Sequence, residues 1–221
     1  ERPAQFPSDV RDLVAWVTGG PLIDKHPFGA LEAFPKGDTA PEVWILGSSN
    51  YGAQIAAHFG LPYCFAWFFS DGRGAAEAVE IYRRSFQPSN LCQEPYVGLC
   101  VWAFAAETEE EAQFHYSSRA KWKIFRERGL FLPIEPPEVA LQQEYDGRER
   151  ERLERDRATA FIGTPSKVME QLKCLGAEMA IDEMALVAWV YDEDVRRKSF
   201  SLIANAADLP KLESGAQASS A

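Results

Sequence analysis

One segment of the sequence has the residue types and the spacing of an anion-binding turn. It runs from Leu46 to Gly52, reads Leu-Gly-Ser-Ser-Asn-Tyr-Gly, and lies between an apolar run, residues 41–47, and a stretch typical of a helix, residues 53–59. Unpaired N–H groups at a helix N-terminus and the helix dipole favour an anion such as a phosphate. Glycines allow a ligand to approach the backbone closely. A capped turn that packs tightly for structural reasons has the same pattern, so the turn alone leaves both interpretations open.

Apolar runs alternate with stretches typical of helices along most of the chain. The runs show no alternation of polar and apolar residues, which is typical of strands buried on both faces. Glycine, proline or capping residues separate each run from the next predicted helix. The predicted strands are residues 41–47, 63–69, 96–105 and 184–191. The predicted helices are residues 53–59, 74–86, a long helix that Thr108 caps, 165–175 and 194–204.

This alternation predicts an α/β fold with parallel strands. Helices between consecutive strands return the chain to the same end of the sheet and cover both of its faces. Four such strand–helix units fit a doubly wound sheet. They also fit part of a TIM barrel, which needs eight units to close. The pattern alone leaves these two architectures open.

The composition argues against nucleic acid and membrane surfaces as main partners. The net charge is −10 and the sequence pI is about 4.9, so phosphate backbones and anionic lipids would repel the chain. We find no apolar stretch of membrane-spanning length and no signal-peptide core at the amino end, and we expect a cytoplasmic protein. The four cysteines form no CxxC pair, so we predict neither a metal site nor a disulfide framework. Because the chain begins at Glu1 rather than methionine, we expect it to be a piece of a longer protein.

Several segments, taken in order, resemble the bacterial luciferase-like flavin monooxygenase family. The first two combine the apolar run and its Gly-Ser-Ser turn with the segment from Ala56 to Trp67, at the spacing found in that family. The resembling segments are residues 41–49, 56–67, 82–89, 95–96, 106–108 and 163–165. An ordered set of this kind is much more specific than any one of its motifs. The resemblance extends over about residues 6–205.

The resemblance implies that this chain is the C-terminal part of a (β/α)₈ TIM-type barrel. Residues 1–205 would supply strands five to eight, and residues 206–221, rich in Ala, Ser and Gly, would form a flexible tail. The resemblance also implies a flavin-dependent monooxygenase that uses reduced FMN and O₂ on a small organic substrate, with a separate flavin reductase as partner. In this family the turn after strand five contacts the flavin phosphate through N–H and hydroxyl groups. The matching residues here are Gly47, Ser48, Ser49 and Gly52.

Trp67 is the remaining predicted cofactor-binding residue. It lies near a strand end where an aromatic wall would face the flavin, and packing in the core is an equal alternative. The reactive residues of the family lie mostly on the first four strands, so no catalytic residue is assigned in this chain. We expect His26, His58 and His115 to be surface or structural histidines.

A half barrel would leave unpaired parallel edges at strands five and eight. We therefore expect the chain to be found with its missing N-terminal half or as a homodimer, and to be inactive alone. Two other functions stay open: a non-catalytic flavin-binding or scaffold subunit, and a deazaflavin-dependent oxidoreductase of the same superfamily. Residues 144–157, rich in Glu and Arg, fit a solvated helix with paired charges or a loop that closes over the active site.

Overall fold

Helices and strands alternate along the chain in the computed structural model, which describes residues 2–209. The first elements are α1 (Arg2–Thr18), β1 (Ile45–Gly47), α2 (Asn50–Phe59), β2 (Tyr63–Phe65), α3 (Trp67–Ser70), α4 (Ala75–Ser85) and β3 (Val97–Ala105). The later elements are α5 (Glu109–Glu127), α6 (Pro137–Ala140), α7 (Gly147–Thr159), β4 (Phe161–Gly163), α8 (Pro165–Met179), β5 (Glu183–Val187) and α9 (Glu193–Ala206). The predicted tail, residues 206–221, lies outside the described residues from residue 210 onward, and Ala206 is the last residue of α9.

The described chain divides into two compact units, and the first contains residues 2–100 and 181–185. In this unit β1 pairs with β2 in parallel, with Gly47 opposite Phe65, and β2 pairs with the start of β3 in parallel. The N–H of Asp182, just before β5, donates to the Val97 carbonyl at 3.0 Å, and β5 also pairs with β3. Because these strands are parallel, the turns that follow β1 and β2 lie at the same edge of the sheet.

The second unit contains residues 101–180 and, of the described residues that follow, 186–209. Here the end of β3 pairs with β4 in parallel, with Ala105 opposite Gly163, and all nine residues of β3 are buried. The Ala105 N–H donates to the Ser199 hydroxyl of α9 at 2.8 Å, so a helix side chain satisfies this buried strand group. The predicted α/β fold with parallel strands is confirmed.

The predicted strand over residues 63–69 is wrong beyond Phe65. Ala66 donates its N–H to the Gly47 carbonyl at 2.8 Å, and the chain then turns into the short helix α3. Asp71, with φ of 50°, ends that helix. The run Trp67-Phe68-Phe69 is too short for its periodicity to distinguish a strand from a buried helical turn.

Other elements also differ from the sequence-based prediction: β1 begins at Ile45 rather than residue 41, and β5 ends at Val187 rather than residue 191. Strand β4 was not counted among the predicted strands, since three residues carry no readable period. Helix α8 continues through Gly176 to Met179 and ends at Ala180, which has φ of 49°, rather than ending at residue 175. A glycine inside a helix costs only about 1 kcal/mol relative to alanine, so Gly176 does not stop it.

The charged helix predicted within residues 144–157 is confirmed as α7, which begins at Gly147 and extends to Thr159. The Asp146 carboxylate caps its N-terminus by accepting the Glu149 N–H at 2.9 Å, and the Glu149 carboxylate accepts the Asp146 N–H at 3.1 Å. Arg128, the C-cap residue of α5, donates two hydrogen bonds of 2.7 Å to the Glu149 carboxylate. Within α7, Arg152 and Asp156 form an ion pair at 3.0 Å. A role for this segment in closing over an active site stays a prediction.

His26 fastens the loop after α1 to that helix, which confirms its structural role. Its Nδ1 accepts the Phe28 N–H at 3.1 Å, so its Nε2 carries the proton that Asp12 accepts at 2.9 Å. Asp12 also accepts hydrogen bonds from the Arg11 guanidinium at 2.9 and 3.0 Å. Burial raises the pKa of Asp12, but the hydrogen bonds from Arg11 and His26 outweigh it, and the pKa lies below its ordinary value.

We expect Asp12→Asn to destabilise the fold at pH 7 and to matter less in acid. A carboxylate whose pKa is lowered by folding stabilises the folded state above its unfolded pKa, and this stabilisation is lost as the pH falls through the folded pKa. The difference in free energy of unfolding between wild type and variant should therefore shrink below about pH 4. Urea denaturation at pH 7 and pH 3 measures it, with the exposed Asp9 of the same helix, as Asp9→Asn, for control. A difference that stays constant between the two pH values would contradict the assignment.

Candidate functional site

The Gly-Ser-Ser turn, residues 47–52, joins the end of β1 to the first turn of α2. Ser48 and Ser49 are exposed, whereas Gly52 is buried. Ser49 is the N-cap residue of α2, with extended backbone angles of φ −148° and ψ 163°, and its side chain makes no capping hydrogen bond. The hydroxyl group that usually satisfies a helix N-terminus from this position is therefore available to another acceptor or donor.

The two serine N–H groups of this turn have no acceptor among the described residues. Across residues 2–209, neither the Ser48 nor the Ser49 N–H donates a hydrogen bond to another group. The N–H of Ala53 bonds back to the Ser49 carbonyl at 3.5 Å. The first N–H groups of an α-helix have no acceptor within that helix. Exposed N–H groups at a helix N-terminus fit an anion, and a phosphate in particular.

Gly47 and Gly52 hold the strand end and the helix in direct backbone contact. A Cβ added to either glycine would lie 3.4 Å from the Cα of the other. The Tyr63 ring would lie 3.7 Å from either added Cβ. A group larger than a methyl at either position would have to displace the other glycine or the Tyr63 ring, so this contact requires two small residues.

Tyr63 lies beneath the turn and is a residue that the sequence analysis did not single out. Its hydroxyl oxygen lies 3.4 Å from the Gly47 carbonyl oxygen and 3.4 Å from that of Ser49. The side chain is fully buried, and burial raises the pKa of its phenol, so it remains a neutral donor. The signal available in the sequence was a hydroxyl group at the start of an otherwise apolar strand.

A carboxylate, Glu77 of α4, lies beside the turn. Asn50, the first residue of α2, donates from its side-chain amide to the Glu77 carboxylate at 2.9 Å. This negative charge opposes an anion at the turn. The binding of a phosphate here therefore depends on the N–H and hydroxyl donors rather than on an excess of positive charge.

Trp67 begins α3, one residue after the Ala66 N–H that bonds to Gly47. Its indole is half-buried and packs against Gly72, where φ is 82° and a Cβ would collide with the ring. The turn residues are contiguous with the β1 end, and Trp67 follows the neighbouring end of β2. Contact of the indole with a flavin stays a prediction.

The N-terminus of α8 contrasts with that of α2. The Glu109 carboxylate accepts the Thr164 N–H at 2.9 Å and the Lys167 ammonium at 2.6 Å. The hydrogen bonds from Lys167 and Thr164 lower the pKa of Glu109. An open groove of about 650 Å³ lies beside this point, but the chain's own carboxylate already occupies the position that an anion would take.

His58 and His115 lie in different surroundings. His58 is exposed, and His115 is half-buried with its ring edge-on to Phe104 at 5.9 Å. Among residues 2–209, no group of three or more His, Cys, Asp or Glu side chains is placed to hold a metal ion. None of the described helices combines the length and apolarity that crossing a membrane requires.

Comparison with known proteins decides the family. Residues 24–183 match the family model described as luciferase-like monooxygenase. The chain belongs to the luciferase-like monooxygenase family. An Escherichia coli protein of strain K12 named luciferase-like monooxygenase is 29% identical over 197 residues, which are 89% of this chain and 57% of the relative.

Two solved structures share the fold. The structure of apo-MsnO8 has a TM-score of 0.76 and 23% identity, covering 95% of this chain and 62% of that one. The oxygenating constituent of 3,6-diketocamphane monooxygenase from Pseudomonas putida, in complex with FMN, has a TM-score of 0.52 and 16% identity. That match covers 78% of this chain and 50% of the other. The luciferase-like chain described here spans about three fifths of the length of the curated relatives that it matches.

Proposed function

We propose that this chain is the C-terminal part of a flavin-dependent monooxygenase that uses reduced FMN and O₂ to oxygenate a small organic molecule. The observation that carries the proposal is the Gly-Ser-Ser turn, where the exposed Ser48 and Ser49 present N–H groups with no acceptor among the described residues. Membership of the luciferase-like monooxygenase family supports the reaction class. The relative that was solved with FMN supports the cofactor.

The residues of the turn fit the phosphate end of FMN. Ser48 and Ser49 would bind the phosphate through their N–H and hydroxyl groups, and the helix dipole of α2 favours the negative charge. Gly47 and Gly52 pack the end of β1 against the first turn of α2, which fixes the backbone on both sides of Ser48 and Ser49. Trp67 would form part of the wall beside the flavin and exclude water. The bound flavin supplies the oxygen chemistry, and the protein positions and shields it.

The proposal places residues 1–205 as strands five to eight of a (β/α)₈ barrel. The remaining strands, and the catalytic residues, would come from an N-terminal half or from a second copy of the chain. The exposed edge of β1 supports this arrangement, because Leu46 is 55% exposed in the middle of a strand of three residues. The chain on its own would be inactive, and a flavin reductase would supply the reduced cofactor.

A flavin titration of the full-length protein tests the proposal. We expect binding of FMN and, under anaerobic conditions, of reduced FMN, followed by O₂ consumption that depends on an organic substrate. No measurable affinity for either form of FMN would contradict the proposed function. Binding without substrate-dependent O₂ consumption would indicate a non-catalytic flavin-binding subunit. Hydride transfer without an oxygen requirement, with a deazaflavin, would indicate an oxidoreductase of the same superfamily.

A further inference from the structure

The carbonyl groups of Gly47 and Ser49, in the Gly-Ser-Ser turn, both contact the hydroxyl of Tyr63. The Gly47 carbonyl accepts the Ala66 N–H at 2.8 Å and faces the Tyr63 hydroxyl at 3.4 Å. The Ser49 carbonyl accepts the Ala53 N–H at 3.5 Å and faces the same hydroxyl at 3.4 Å. One buried phenol therefore lies between the carbonyl before Ser48 and the carbonyl before Asn50.

The position of each carbonyl also fixes the direction of the N–H group in the same peptide bond. In a trans peptide the C=O and the N–H point in opposite directions within one plane. Both peptides in question are trans, since among the described residues the cis peptide is Phe34–Pro35. With the carbonyls of Gly47 and Ser49 facing the Tyr63 hydroxyl, the N–H groups of Ser48 and Asn50 point away from it.

We propose that Tyr63 is a positioning residue, whose hydroxyl orients the Ser48 and Asn50 N–H groups toward the flavin phosphate. This inference rests on the proposed function, because it gives those N–H groups their ligand. The hydroxyl has one proton and two acceptors at equal distance, so it donates to them in a shared or alternating way. The Tyr63 ring is fully buried and lies next to Gly47 and Gly52, so its packing keeps the hydroxyl in place.

The test compares FMN with riboflavin, which lacks the phosphate, in the full-length protein and its Tyr63→Phe variant. The ratio of the two dissociation constants isolates the contribution of the phosphate, because a general loss of structure weakens both ligands alike. We expect Tyr63→Phe to weaken FMN binding about fivefold, the effect of one hydrogen bond, and to leave riboflavin binding unchanged. Isothermal titration calorimetry or quenching of flavin fluorescence measures both constants.

Tyr82→Phe is the matched control. Tyr82 is as fully buried as Tyr63, and its ring lies 5.5 Å from the Tyr63 ring. Its hydroxyl donates to the Leu61 carbonyl at 2.9 Å and accepts the Tyr96 N–H at 3.1 Å, away from the turn. We expect this variant to lose stability and to keep the wild-type preference for FMN over riboflavin.

A measurement on the wild type keeps the proposal testable if Tyr63→Phe does not fold. In ¹H–¹⁵N spectra, the Ser48 and Asn50 amide protons should move downfield when FMN is added and should not move with riboflavin. If the wild type prefers FMN but these amides do not respond, or if Tyr63→Phe retains the full preference, the role of Tyr63 is refuted and the proposed function stands. If the wild type shows no preference for FMN, the phosphate site itself is refuted.

Discussion

Replacing Ser49 by aspartate is expected to weaken FMN binding about 100-fold while stabilising the fold. Ser49 is the N-cap of α2 and its side chain makes no capping bond, so an Asp carboxylate there can accept the first N–H groups of the helix. That capping should raise the free energy of unfolding by about 0.5–1 kcal/mol. The same carboxylate would repel a phosphate at the turn by on the order of 4 kcal/mol at a separation of about 4 Å, before screening by salt.

The aspartate is expected to weaken FMN binding and to raise the free energy of unfolding, and a general loss of structure cannot produce both changes. Ser49→Asn is the matched control, because Asn caps a helix as well as Asp and carries no charge. We expect the Asn variant to bind FMN within a few-fold of the wild type and the Asp variant to retain normal affinity for riboflavin. Denaturation curves and flavin titrations of the full-length variants measure both quantities. FMN binding that is equal in the Asp and Asn variants would show that no phosphate lies at this turn.

Gly60→Ala is expected to reduce the free energy of unfolding by about 3 kcal/mol or more. Gly60 ends α2 in the left-handed conformation, with φ of 58°, and a Cβ there would collide with the Gln87 carbonyl oxygen. The added Cβ would also lie 2.9 Å from the Ser89 nitrogen. These are backbone atoms that cannot move aside as a flexible side chain can, and the Ser89 hydroxyl ties this segment to the Gly60 carbonyl at 2.8 Å.

Gly19→Ala separates the two causes of this loss. Gly19 has a similar φ of 70°, but a Cβ there would meet nothing within 4 Å. Its substitution should therefore cost only the conformational penalty of a left-handed alanine, about 1 kcal/mol. Guanidinium denaturation of both variants gives the difference that is due to the collision. A Gly60 variant no less stable than the Gly19 variant would contradict the packing described for this helix end.

The Gly-Ser-Ser turn can be found from the sequence because its signals are local. A strand ending at Gly47, two small hydroxyl residues and a helix stopped by Gly60 are contiguous, and each of them restricts the backbone by itself. Parallel pairing followed from apolar runs without alternation, since strands buried on both faces are covered by helices. Two assignments stay predictions: that the turn binds a flavin phosphate, which the titrations test, and that Trp67 forms a wall beside the flavin.

The amino-acid sequence by itself determined the α/β class, the Gly-Ser-Ser turn and the family, because short-range periodicity, capping residues and ordered motifs carry that information. Only the tertiary structure decided which groups support the turn and which helix ends are already satisfied. The Tyr63 hydroxyl reaches Ser49 across 14 positions and the Glu109 carboxylate reaches Thr164 across 55, contacts that no local pattern specifies. The helical turn at Trp67 likewise depends on the hydrogen bond that Ala66 makes to β1. Whether a backbone N–H group has an acceptor depends on which groups the folded chain places next to it, and long-range packing decides this.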